Sequence, residues 1–295
     1  MSEPPLVFGI GEILWDILPD GQQMGGAPAN FAYHARALGA ASVIVSAVGD
    51  DEPGRAILAE LGRRGLDRSG IAIMSAAPTG TVTTGLEGDG IPRYTIHEGA
   101  AWDVMPWSEA LGDLAARADA VCFGTLAQRS PVSRATIGAF LDATRPDCLR
   151  VLDLNLRQSY FSRDIVHGLL GRSTVLKLND DELRTVAELL SLPVAETRVL
   201  AGLLEAYPLT MIALTKGRTA SRLFGREVDL SHPGHPVETA DTVGAGDAFT
   251  AALVAGMLKK KGWDEIGDRA NRIAGYVCSR KGAWPDLPAE LASWA

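Results

Sequence analysis

Asp241-Thr242-Val243-Gly244-Ala245-Gly246-Asp247 places small residues and a carboxylate directly before a run with helical apolar spacing, Phe249, Ala252, Leu253, Gly256 and Met257. Small residues let the backbone turn sharply and let an anion approach the unpaired N–H groups at a helix start. A carboxylate in such a place opposes anion binding by charge. It makes chemical sense if it takes a proton from a hydroxyl that attacks a phosphate. Asp is also common as a cap or first-turn residue, so the motif by itself leaves a catalytic and a structural Asp247 both open. Lys259, Lys260 and Lys261 are expected in the last turn, facing the negative end of the helix dipole, as a solvated helix end and not a nucleic-acid patch.

A second glycine-rich turn, Gly25-Gly26-Ala27-Pro28-Ala29-Asn30-Phe31-Ala32, pairs close backbone approach at Gly26 with the donor and acceptor of Asn30, chemistry that suits a sugar. It also reads as a plain strand-to-helix turn with Pro28 near the helix start. Asp16 follows the first strand and falls near the sheet edge where open α/β folds bind ligands; its carboxylate can accept from two hydroxyls, or be a solvated loop acid. Asn179 and Glu182 in Lys177-Leu178-Asn179-Asp180-Asp181-Glu182 share a helix face, a spacing suited to ordering water around Mg²⁺ and equally a capping pattern. Leu214-Thr215-Lys216-Gly217 ends a later strand, where Thr215 and the Gly217 backbone can approach a nucleotide. No GxxxxGK[ST] loop, complete GxGxxG fingerprint or HExxH pair occurs.

These motifs need a scaffold. Leu6 to Ile10, Val43 to Val48, Ala120 to Phe123, Leu149 to Leu154, Thr174 to Leu178 and Met211 to Leu214 read as buried strands, and helical patterns such as Pro28 to Leu38 and Pro53 to Leu61 lie between them. The alternation predicts a doubly wound α/β domain spanning residues 1–295, with a mostly parallel sheet and helices on both faces. Segments near 13–24 and 79–99 break the rhythm. In the second, Thr81 to Leu86, a Gly88-Asp89-Gly90 turn signal and Arg93 to His97 suggest a hairpin, and the two segments together suggest a small β-sheet lid over a pocket or against a second subunit. A 46% hydrophobic and 22% charged composition fits a globular chain, and a net charge of -8 argues against nucleic acid or an anionic membrane as partner. Three cysteines without a CxxC pair suggest neither a disulfide framework nor a zinc site, and no apolar run reaches membrane-spanning length; a cytoplasmic protein is expected.

Gly25 to Ala32 and Asp241 to Asp247, in this order and at this separation, resemble the two signatures of the PfkB (ribokinase-like) family of carbohydrate kinases. The resemblance covers nearly the whole chain and implies transfer of the γ-phosphate of ATP to a small hydroxylated substrate. It makes Asp247 the general base and the amides of Gly244, Ala245 and Gly246 an anion hole. It gives Asp16, Gly26 and Asn30 the sugar hydroxyls, and Asn179 and Glu182 a water-mediated part in handling Mg²⁺ and phosphate. Thr215, Gly217 and Asn271 would meet the nucleotide, and Asp241, Val243, Val277, Arg280 and Gly282 a monovalent cation, K⁺. Ala27-Pro28 stands where ribose enzymes of the family usually carry Lys-Gly, whereas Gly11 to Leu14, Gly25 to Asn30 and Asp153 to Arg157 are more similar to bacterial fructokinases and 2-keto-3-deoxygluconate kinases. Fructose, phosphorylated at its C6 hydroxyl, is therefore the first substrate expected, with Arg157 facing a phosphate or a substrate carboxylate. A 2-keto-3-deoxygluconate kinase, another sugar or nucleoside kinase of the family, and a non-catalytic sugar or nucleotide sensor are the alternatives. Ala220 replaces a frequent glycine of the nucleotide loop, which bears on that loop's geometry. A homodimer joined through the lids is the expected assembly.

Overall fold

The computed structural model describes residues 3–19, 21–86 and 92–293. Its strands, in chain order, are β1 (Leu6–Ile10), β2 (Leu14–Leu18), β3 (Gly21–Gly25), β4 (Ala41–Gly49), β5 (Ile71–Met74), β6 (Gly80–Leu86), β7 (Pro92–Ile96), β8 (Ala120–Phe123), β9 (Leu149–Asp153), β10 (Val175–Asn179), β11 (Met211–Lys216), β12 (Ala220–Gly225) and β13 (Asp229–Pro233). The helices are α1 (Ala27–Ala37), α2 (Glu52–Arg63), α3 (Glu109–Ala115), α4 (Pro131–Asp142), α5 (Arg163–Leu170), α6 (Asp180–Leu190), α7 (Glu196–Ala206), α8 (Ala245–Leu258), α9 (Trp263–Cys278) and α10 (Ala289–Ala292).

Nine strands form the main sheet in the order β13-β12-β11-β10-β9-β8-β1-β4-β5. From β5 to β11 every pairing is parallel, and β12 and β13 close one edge as antiparallel strands that the sequence pattern did not announce. Side chains alternate between the faces with the two-residue period of a strand. Phe8, Phe123, Leu152, Leu176 and Ile212 join a core that also takes in Phe140 of α4, Val186 of α6 and Leu200 of α7. Val7, Cys122, Val151, Val175 and Met211 turn to the other side, against α1, α8 and α9. Each such fully buried large side chain contributes roughly 1.5–3 kcal/mol, which is how short apolar runs hold a sheet of this width.

The second sheet is small, with the order β3-β2-β6-β7. The β2–β3 and β6–β7 pairs are antiparallel, while β2 and β6, far apart in sequence, pair parallel. The strands flanking the turn signal thus form the hairpin, and the turn Gly88-Asp89-Gly90 itself lies outside the described residues. Chain order in the main sheet reverses between β1 and β8, so a crevice opens at their carboxyl ends, the usual ligand position of such sheets.

One local expectation is corrected. Helix α8 ends at Leu258, with Lys259 at its C-cap and Lys260 in a left-handed conformation at φ 54°, so the three lysines follow the helix and do not occupy its last turn. Lys259 reaches across to the Leu38 carbonyl that closes α1, 3.3 Å away. Packing of the α1 and α8 ends decides the break there, against the good helix propensity of lysine.

Candidate active site

The crevice is a cavity of about 1080 Å³, floored by the carboxyl ends of the central strands and roofed by the inner face of the small sheet. Leu14, Asp16, Val82 and Ile96 look into it from the roof, Gly244 to Asp247 lie at its middle, and Thr215, Gly217, Asn271 and Cys278 line its far end. A volume of this order accommodates two small ligands end to end.

Gly244 caps α8 in the left-handed region, at φ 78°. A Cβ at this position would stand 2.7 Å from the Ala283 side chain, so glycine is required for both conformation and space. The Ala245 N–H makes one long bond, 3.4 Å, to the Thr242 carbonyl, and the helix ladder begins with Ala248 N–H donating to the Gly244 carbonyl. The amides of Gly246 and Asp247 are thus first-turn N–H groups at the open, positive end of α8. Of the three amides expected to bind the anion, that of Ala245 is partly engaged already.

Asp247 sits in this first turn, half-buried at the wall of the cavity. Its Oδ2 accepts from Asn30 Nδ2 at 2.8 Å, and Asn30 Oδ1 accepts from Trp284 Nε1 at 2.6 Å. Asn30 therefore spends one lone pair of its oxygen and one donor hydrogen on protein, which leaves one N–H and the second lone pair of Oδ1. Burial, and then the charge of Asp153, push the Asp247 carboxyl up to about 6, while Lys177, the Asn30 hydrogen bond and Arg157 restrain it. A largely desolvated carboxylate poised near neutrality in a cavity is what proton abstraction calls for.

Two further acids share the sugar-side end. Glu12, 3% exposed, accepts the Ala27 N–H at the start of α1 on Oε1 at 3.3 Å, and its Oε2 has no hydrogen-bond partner among the described residues. Burial is the largest cause of a rise to about 7 in its pKa, with nearby Asp247 adding to it. Asp16 on β2 is raised to about 6, again by burial, and drawn back by Arg157. Gly26 passes over the Glu12 carbonyl at φ 111°, where a Cβ would come within 2.3 Å of that oxygen. Arg157 follows β9 in a loop whose Asn155 and Gln158 both hold positive φ, 45° and 47°; its Nη1 donates to the Leu156 carbonyl, and its charge acts on Glu12, Asp16 and Asp247 alike.

At the phosphate end, Asn179 and Glu182 form a capping box for α6. Asn179 Oδ1 accepts from Glu182 N and Glu182 Oε2 accepts from Asn179 N, both at 2.8 Å. Glu182 Oε1 takes the Leu156 N–H at 3.0 Å, which ties the Arg157 loop to α6. Both carboxylate oxygens thus hold backbone amides, and among the described residues no three His, Cys, Asp or Glu are grouped to hold a metal ion. Thr215 and Gly217 lie at the β11–β12 turn, closed by the Lys216–Ala220 pair. The left-handed residue there is Gly217, at φ 56°, so alanine is accommodated at 220. Asn271 Nδ2 donates to Ser221 Oγ and to the Gly267 carbonyl, both at 2.7 Å, leaving its Oδ1 as the group to face a ligand. Of the residues considered for a monovalent cation, Asp241 accepts from Val243 N and Gly282 N, and the Val277 carbonyl accepts from Arg280 N.

Sequence reasoning did not single out Glu12, Asp153, Lys177, Thr250 or Trp284. Lys177 Nζ, 7% exposed, donates to Asp153 Oδ1 at 3.0 Å, and Thr250 Oγ1 of α8 donates to Asp153 Oδ2 at 2.8 Å. Burial alone would lower the Lys177 pKa, but Asp153, Glu182 and Asp247 hold it above its ordinary value. The ammonium lies beside Gly246, 2.9 Å from where a Cβ would stand. A lysine inside an apolar strand run, Val175-Leu176-Lys177-Leu178, and an acid ending another, were the available signals, because buried charges occur paired.

A glycine-capped helix start, a half-buried carboxylate with a raised pKa and a two-ended cavity at the switch point of a doubly wound sheet define a site for phosphoryl transfer. The chain matches the pfkB family carbohydrate kinase profile over residues 20–290. It is 31% identical over 296 residues to the uncharacterized sugar kinase PH1459 of Pyrococcus horikoshii, covering 95% of this chain and 93% of that one, and 30% identical over 303 residues to a fructokinase of Klebsiella pneumoniae, covering 96% of each. Among solved structures, the Pyrococcus horikoshii sugar kinase in complex with ATP superposes with a TM-score of 0.80 at 28% identity, covering 95% and 94% of the two chains. The chain belongs to the pfkB family of carbohydrate kinases, phosphotransferases that act on a sugar hydroxyl. Among the described residues no helix is long and apolar enough to cross a membrane.

Proposed function

We propose that this kinase transfers the γ-phosphate of ATP to an uncharged sugar, fructose first, at its primary C6 hydroxyl. The observation that carries the reading is the half-buried Asp247 carboxylate, held by Asn30 beside the open N-terminus of α8. With the sugar under Asp16 and Arg157, Asp247 accepts the proton of the attacking hydroxyl. The α8 amides and the Lys177 ammonium beside Gly246 then face the charge that builds on the transferring phosphoryl group. The small sheet excludes water from the reacting hydroxyl. Glu12, Asp16 and Asp247 set three carboxyls against Arg157 at the sugar end. A neutral polyol meets hydrogen-bond acceptors there, whereas a sugar acid adds a fourth carboxylate, which favours fructose over 2-keto-3-deoxygluconate. The Klebsiella pneumoniae fructokinase supports the same choice.

Mg²⁺ bound to the β- and γ-phosphates would supply charge neutralisation. Asn179 and Glu182 suit this through water, since the Glu182 oxygens already hold backbone amides. K⁺ activation is proposed for the turn at Asp241 and Gly282, and pairing of two chains through the small sheets for the assembly.

The test is turnover with ATP, Mg²⁺ and K⁺ on fructose, ribose, 2-keto-3-deoxygluconate and adenosine, with products read by mass. A kcat/KM for fructose at least tenfold above the others is expected; a preference for the sugar acid or the nucleoside refutes the assignment. Asp247→Asn should lower kcat by roughly 10²- to 10⁴-fold with the fold intact by circular dichroism, and near-normal turnover removes Asp247 from the role of base.

A further inference from the structure

Segment 282–284 lies against the reacting centre without lining the cavity. Ala283 abuts Gly244 at the start of α8, and the Ala283 carbonyl is within 2.9 Å of His34 Nε2 on α1. His34 is fully buried, and burial lowers its pKa to about 4; it is a neutral ring whose N–H holds this carbonyl. Next in the chain, the Trp284 ring stacks on Tyr33, centroids 4.7 Å apart and 9° from parallel. Arg64 closes the stack from outside, with Nη1 donating to the Trp284 carbonyl and to Tyr33 Oη, each at 3.0 Å. The indole is thereby fixed in plane and rotation, and its N–H meets Asn30 Oδ1 at 2.6 Å.

That bond decides which way the Asn30 amide faces. The two ends of an amide have the same shape and opposite hydrogen-bonding character. With Oδ1 held by the indole, the other end presents N–H to Asp247 Oδ2; turned over, it would set a carbonyl oxygen against a carboxylate and an N–H against an N–H. We propose that Trp284 is a positioning residue for phosphoryl transfer, holding the Asn30 amide in the orientation that gives the Asp247 carboxylate a donor and a fixed aim. The proposal rests on Asp247 being the base. It assigns the bracing to a residue that touches neither ligand, through a path running Arg64, Trp284, Asn30, Asp247.

Trp284→Phe keeps the ring on Tyr33 and deletes the N–H. The groups that face Asp247 from its other neighbours, Asp153 of β9, Lys177 of β10, Arg157 of the following loop and Glu12 after β1, are unchanged by it. Loss of one oriented hydrogen bond to a charged group predicts a kcat lower by roughly tenfold or more. Sugar KM should stay within about threefold, and the acid limb of kcat/KM should move up, because the Asn30 bond favours the ionised carboxylate. Asn30→Ala should reproduce that limb, and the double variant should add nothing further, since the two residues act in series. A folded Trp284→Phe with wild-type kcat and limb, or additive single effects, overturns the proposal. If the phenylalanine variant fails to fold, the Trp284 indole N–H resonance decides: it should shift upfield in Asn30→Ala, and an unmoved resonance refutes the bond. Asp247→Asn separates the two layers, since normal turnover there sinks the base itself, while a dead Asp247→Asn beside an unaffected Trp284→Phe sinks the positioning role alone.

Discussion

Glu12→Gln should make the protein's stability respond differently to pH, by an amount the site itself supplies. In the folded chain the Glu12 carboxyl is raised from 4.5 to about 7, by burial above all and then, against the pull of two backbone amides, by Asp247. A carboxyl raised on folding contributes stability that is fully present below pH 4.5 and is lost as pH rises through 7, because the folded state must then hold a buried charge. At about 1.4 kcal/mol per pH unit, the ionised form costs about 3 kcal/mol. Linkage places about 2.5 kcal/mol of this between about pH 5 and pH 8.5. Glutamine keeps the shape and an acceptor for the Ala27 amide but does not titrate.

His34 complicates a simple melting curve. Its pKa is lowered from 6.5 to about 4 by burial, so its contribution is present above 6.5 and lost as pH falls, opposite in sign and overlapping in range. Wild type should therefore show a muted pH dependence from these two groups, and the difference between variant and wild type cancels His34. Urea unfolding of both proteins at about pH 5 and pH 8.5 gives four free energies. The variant should gain about 2–3 kcal/mol relative to wild type between the two conditions. If the difference stays constant within about 0.5 kcal/mol, Glu12 is not a buried titrating carboxyl and the account of the sugar-side charges fails with it.

Two further outcomes follow from the same site. Because Asp247 must be ionised to accept a proton and is held at about 6, kcat/KM should fall tenfold per unit below roughly that pH, and an acid limb near 4 in a pH–rate profile would show the carboxyl to be solvated. Gly244→Ala should lower kcat by roughly 10²-fold or more, since the methyl meets Ala283 at 2.7 Å and the φ of 78° is strained for alanine, while sugar binding measured by calorimetry persists; wild-type kcat would mean that the α8 start does not stabilise the transferring group.

What was legible in the sequence was local. Leu6–Ile10 and Ala120–Phe123 are strands at the residues their apolar runs indicate, and Gly26 and Gly244 turn the chain into α1 and α8 at positive φ, 111° and 78°, where glycine leaves few alternatives. What was not legible depends on pairs distant in the chain. The partner of Asp153 is 24 residues away at Lys177 and 97 away at Thr250, and Trp284 meets Asn30 across 254 residues. No spacing rule covers such distances; they are set by strand order and by which helix crosses which strand. Asn179 and Glu182 show the converse case. Their spacing admits a capping box and a water-mediated ion site, and the structure shows the capping box, with Glu182 also pinning Leu156 and hence the loop of Arg157. The capping box and the proposed water-mediated role are physically compatible: a carboxylate whose two oxygens accept from the Asn179 and Leu156 amides presents its remaining lone pairs in a constant direction, as the proposed ordering of water around a phosphate-bound cation requires.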